Sequence, residues 1–134
     1  MAAAGPISAR PPVVIDREKV CPLLLRVFIK TGGHHRVEDF QARGREPAEE
    51  VQIYTWKDAT LREMANLVKE VNATARNSRA RISFALVFPD HRGRYQMKNV
   101  GVVFSAKRSE DDKKTLDSVR FVTGDYLDVA VYVE

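Results

Sequence analysis

At 134 residues, 44% of them hydrophobic and 30% charged, the chain has the length and apolar content of one globular domain with a modest core, which leaves no room for a second. Its 22 basic and 18 acidic residues give a net charge of +4, too mild for a histone-like wrapper of nucleic acid. No apolar run approaches the roughly 20 residues that span a bilayer, no basic-then-apolar leader opens the chain, and a single cysteine excludes an intramolecular disulfide, so a soluble protein of a reducing, intracellular compartment with no membrane role is expected.

Residues 1–19 are rich in Ala and Pro, carry no apolar period and finish in the charged IDREK, which reads as a flexible tail before a domain over 20–134. Cys21 precedes Pro22 and is expected to be a small buried hydrophobe. LLLRVFIK alternates Leu23, Leu25, Val27 and Ile29 against Leu24, Arg26, Phe28 and Lys30, a strand with apolar residues on both faces. From Thr31 to Glu50 runs a loop of about 20 residues, FIKTGGHHRVEDF onward, with VEDF able to form one helical turn; loops this long in a compact domain serve function or are disordered. VQIYTW alternates again and completes a hairpin.

Asp58 is placed to cap a helix over Ala59 to Asn72, whose stripe of Leu61, Met64, Leu67, Val68 and Val71 recurs at steps of three and four. RISFALVF is a third strand, RYQMKNVGVVF a shorter strand or two, AKRSEDDKK too charged for core, and DYLDVAVYV a last strand. The order predicts an α+β fold, a ubiquitin-like β-grasp with a mixed sheet of about five strands and one main helix. A ferredoxin-like arrangement fits less well, because it needs a second helical stripe.

Cys21, His34, His35 and His91 lack the spacing of a zinc site, so no metal and no cofactor is expected. A hydrolase would pair His34 or His35 with Glu38, Asp39 or Ser105, but Ser105 lacks the glycine-flanked elbow of a nucleophile, and no catalytic residue is assigned. The basic clusters HHR, RNSRAR, HRGR and KR read mainly as solvated loops, with auxiliary, weak or indirect RNA contact as the alternative. Tyr54, Trp56 and Tyr95 are too scattered for a stacking platform.

The segments DREKVCPLLLRVF, HHRVEDF, QIYTWKDATLREM, LVKEV, GRY and GDYLDVAV resemble, in order and over nearly the whole expected domain, the Sin-three-associated 18-kilodalton polypeptide family. The resemblance implies a ubiquitin-like fold, no enzymatic activity, a nuclear location with a second cytoplasmic one, and a monomer before complex assembly. It further implies two settings. One is the Sin-three histone-deacetylase corepressor, acting in transcriptional repression. The other is a splicing assembly with an Acinus-like protein and the serine-rich RNA-binding protein that accompanies exon junctions. RNSRAR departs from the family pattern, and the chain ends without the Gly-Gly needed for conjugation.

A partner-binding surface is expected on the outward face of the first hairpin and the loop beside it. Alternation turns Tyr54 and Trp56 away from the helix, next to Phe28. His34, His35 and Arg36 would supply rim contacts, Glu38 and Asp39 would meet arginines of a partner, and Phe40 closes the loop motif. A loop folded back over the aromatics is the competing arrangement.

Overall fold

The computed structural model describes residues 15–42 and 44–133, so most of the expected tail, residues 1–14, lies outside the described residues. The strands are β1 (Leu23–Thr31), β2 (Glu50–Thr55), β3 (Ala80–Pro89), β4 (Tyr95–Phe104) and β5 (Tyr126–Val133), and the helix α1 spans Leu61–Val71. They form one sheet in the order β2-β1-β5-β3-β4, parallel between β1 and β5 and antiparallel elsewhere. This is the ubiquitin-like β-grasp.

Alternation decides what the helix covers. Leu25, Val27 and Ile29 of β1, Ile82, Phe84 and Leu86 of β3, and Leu127, Val129 and Val131 of β5 share one face, where Leu61, Met64, Ala65 and Val68 of α1 pack on them. Ile53 and Leu67 are only partly buried there, and Val71 is 55% exposed, where a groove opens between α1 and β2.

The helix begins later than its sequence suggests. The Thr60 hydroxyl accepts the Glu63 amide at 3.1 Å and so caps α1. Asp58 is engaged elsewhere, by Arg17 at 2.8 Å. Cys21 is exposed, since it lies before β1 begins. β4 is one continuous ten-residue strand, joined to β3 with a register shift between Phe84 and Ala85.

The charged segment after β4 forms a short 3-10 turn, Glu110–Lys113, with no buried residue of its own, yet it delivers Leu116 and Phe121 into the core. The Asp111 carboxylate accepts the Val102 amide at 2.9 Å, which holds its pKa below the usual aspartate value. Asp111 and Leu61 here crowd Gly101: a Cβ on that glycine would lie 2.7 Å from Leu61 Cδ1 and 3.2 Å from Asp111.

Candidate protein-binding surface and the loop behind it

The long β1–β2 connection folds over the sheet face opposite α1. It leaves β1 at Thr31, makes a 3-10 turn at Val37–Phe40, and reaches the far edge, where the Gln41 side chain donates to the Tyr95 carbonyl at 2.9 Å and accepts the Tyr95 amide at 3.0 Å. It then returns to β2, with the Ile29 amide donating to the Glu49 carbonyl at 3.0 Å.

The loop is fastened by a carboxylate that sequence reasoning missed. Asp128, on β5 in the middle of the sheet, is fully buried. Its oxygens accept from His34 Nδ1 at 2.7 Å, from His35 Nδ1 at 2.6 Å and from the His35 amide at 3.1 Å. A buried carboxylate without partners costs several kcal/mol, on the order of 3 to 5 when one member of a buried pair is removed, so these three donors are what make Asp128 tolerable at this depth. Asp39 is not a histidine partner; it accepts the Arg36 amide at 3.0 Å and shapes the turn. Ser105 donates to the Ala75 carbonyl at 2.8 Å.

Beyond the aspartate, the Ser83 hydroxyl meets His34 Nε2 at 2.9 Å, and His35 Nε2 faces the Glu49 carboxylate at 3.2 Å. Serine, histidine and aspartate thus follow one another in the order of a hydrolytic triad. A nucleophile, however, works from a strained, exposed turn beside preorganised oxyanion donors. Ser83 is buried in the middle of β3, which is paired on both sides. Here the constellation pins the loop to the sheet. All four imidazole nitrogens of His34 and His35 are engaged by protein groups.

Under the loop lies a second apolar cluster of Phe28, Phe40, Val87 and Tyr126, with Tyr95 and Met97 packed against it. Phe28 meets Phe40 edge-on at 5.1 Å, and Tyr126 stacks on Tyr95 at 5.6 Å. Burial, then the hydrogen bond with Tyr95, push the Tyr126 phenol up to about 12. Arg26 lies over the rings of Phe28 and Tyr126 and binds Glu50 and Glu46, and its hydrogen bonds hold Glu50 below the ordinary carboxylate value. Phe28, Phe40 and His35 are therefore buried, and His34 is largely so. The loop takes the competing arrangement and covers the aromatics expected to be exposed beside Tyr54.

The open surface lies at the other end of the hairpin. Leu24 and Tyr54 are directly opposed across β1 and β2 and are 40% and 70% exposed, with Val20 nearby in the chain at 46%. Trp56 is half-covered: Nε1 donates to the Val20 carbonyl at 2.7 Å, and the Arg17 guanidinium sits 4.9 Å above the ring while it pairs with Asp58 and Glu63. Arg17, on the tail side of the expected boundary, is thus fastened to the domain. Arg36, Glu38 and Asp39 are exposed on the loop. Among the described residues no strand pairs with the outer edge of β2, and beside it an apolar groove of about 70 Å³ opens between Ile53, Val51, Leu67 and Val71.

Residues 14–131 match the family described as Sin3 associated polypeptide p18 (SAP18). The chain is 56% identical over 123 residues to an Arabidopsis thaliana protein named "Histone deacetylase complex subunit SAP18", covering 90% of this chain and 81% of that one. A Homo sapiens protein of the same name is 50% identical over 127 residues, 93% and 82% of the two chains. A third, from Drosophila melanogaster, is 46% identical over 118 residues.

Proposed function

Because the chain belongs to the Sin3 associated polypeptide p18 (SAP18) family, we propose that it is a non-catalytic adaptor subunit of a nuclear histone deacetylase complex, acting in transcriptional repression by protein contact. The observation that carries this reading in the structure is the exposed Leu24–Tyr54 pair beside the outer edge of β2. An extended partner segment adding to β2 would gain backbone hydrogen bonds there and lay apolar side chains on Leu24, Tyr54 and the groove at Ile53.

Charge is carried by the loop on the same sheet face, at the other end of the hairpin. Arg36, Glu38 and Asp39 stand on the loop and Trp56 flanks Tyr54, while Phe28, His34, His35 and Phe40 act from below by holding the loop in place. The exposed carboxylates of Glu38 and Asp39 on the loop suit an arginine-rich segment, which supports the finer proposal of an assembly with an Acinus-like protein and a serine-rich RNA-binding protein in messenger-RNA splicing. The experiment is capture of tagged full-length chain from nuclear extract, with deacetylase activity and co-eluting proteins measured. Activity above that of bare resin is expected; a background-level eluate counts against the deacetylase setting.

A further inference from the structure

The loop covers the second sheet face only as far as the row that contains Ser83, where His34 ends the cover. Two residues earlier on β3, and so on the same face, Arg81 is directly opposite Phe104 on β4 and Tyr132 on β5. These three half-exposed side chains form a row of aromatic, guanidinium and aromatic across adjacent strands. The Arg81 guanidinium lies 4.5 Å from the Tyr132 ring centroid, and Lys107 Nζ lies 4.7 Å from that of Phe104.

The margin of the row is basic. A hollow of about 640 Å³ is lined by Arg79, Arg81, Phe104 and Lys107 and, among the described residues, by no acidic one. It shares Lys107 with a neighbouring hollow of about 570 Å³ that adds Arg62, Arg108 and Lys113, and whose one carboxylate, Asp112, is bound by Arg62 at 3.0 Å. With Asp112 taken up by Arg62, the side chains of Arg79, Lys107, Arg108 and Lys113 leave this margin cationic. Two of the four basic clusters in the sequence, RNSRAR and KR, converge here, whereas HRGR forms the β3–β4 turn and HHR lies in the latched loop.

We propose that the Phe104–Arg81–Tyr132 row and its cationic margin form a docking face for single-stranded nucleic acid. The cations would track the phosphates, and the rings, with guanidinium between them, would stack bases without reading their edges. An acidic peptide would use the cations alone and would have no need of two aromatic rings in register on a sheet face. The surface is separate from Leu24 and Tyr54, so it adds to the adaptor reading and does not rest on it.

The test uses full-length chain and a labelled oligouridine of about ten nucleotides, followed by fluorescence anisotropy at rising salt. Binding that weakens with salt is expected. Arg79→Glu with Lys107→Glu should lower affinity at least tenfold and flatten the salt slope by about 0.7 for each phosphate no longer neutralised. Phe104→Ala or Tyr132→Ala should lower affinity about tenfold with the slope unchanged. Arg92→Glu with Arg94→Glu, in the distant turn, should change little. Circular dichroism checks each fold, and the charge variants decide the matter if an aromatic variant unfolds. Absence of binding at low salt overturns the proposal, as does binding indifferent to Arg79 and Lys107. So does a polyglutamate peptide that competes as well as oligouridine, which would make the partner an acidic protein.

Discussion

His34 donates from Nδ1 to Asp128 Oδ2 at 2.7 Å across 94 residues of sequence, and this bond ties the long β1–β2 connection to the middle of the sheet. Its consequence is that a segment shaped like a mobile binding loop is part of the folded framework. Asp128→Asn keeps the shape but replaces one accepting oxygen by a donor that faces histidine N–H groups. A loss of about 1 to 3 kcal/mol is expected, with faster hydrogen exchange confined first to residues 32–42. Urea unfolding and exchange read both, and an unchanged midpoint with unchanged exchange would refute the latch.

Met64 and Leu67 lie on one helical stripe but at different depths. Met64 is 2% exposed and Leu67 only partly buried. Met64→Ala should therefore cost about 2 to 5 kcal/mol, and Leu67→Ala clearly less. Equal losses would mean that α1 is rotated relative to this packing.

Gly101 has no room for a side chain against Leu61 and Asp111. Gly101→Val should destabilise by about 1 to 3 kcal/mol through overpacking, and a companion Leu61→Ala should relieve part of the clash while adding the cost of its own cavity. Strict additivity of the two in a double-mutant cycle would show that they do not touch.

Acid should loosen the loop's return limb. Arg26 holds Glu50 below 4.5, and Glu46 is lowered as well: burial opposes this, but the Gly44 amide and Arg26 outweigh it. A carboxylate whose folded pKa is depressed stabilises the fold above its unfolded value, and that contribution is lost as pH falls from about 4.5 through the folded value. Asp125, raised by burial, works in the opposite sense, favouring the fold on the acid side and losing that contribution as pH rises through its folded value. Thermal melts from pH 6 to pH 3 should fall in this window, and Glu50→Gln should fall less steeply. Parallel curves would remove Glu50 from the account.

Much of this fold is legible because its periods are clean. Leu25, Val27 and Ile29 alternate, Leu61, Met64 and Val68 recur at helical spacing, and each set lands where that spacing puts it. The latch was harder to see, because no local pattern pairs His34 with a residue 94 positions away. The available signal was Asp128 itself, a lone carboxylate inside the otherwise apolar run LDVAV. Likewise Phe104, Arg81 and Tyr132 are scattered in sequence and become a row only through the register of β3 with both neighbours. Leu116 and Phe121 stand singly in a charged stretch with no period to mark them as core.

The most direct test of the adaptor reading compares two variants of the tagged chain in nuclear extract. Leu24→Asp with Tyr54→Asp alters the exposed pair on the hairpin, and Asp128→Asn alters the latch beneath the loop. With both variants folded by circular dichroism, the hairpin variant should lose at least ten times as much co-purifying deacetylase activity as the latch variant. Full recovery of activity by the folded hairpin variant would contradict the account.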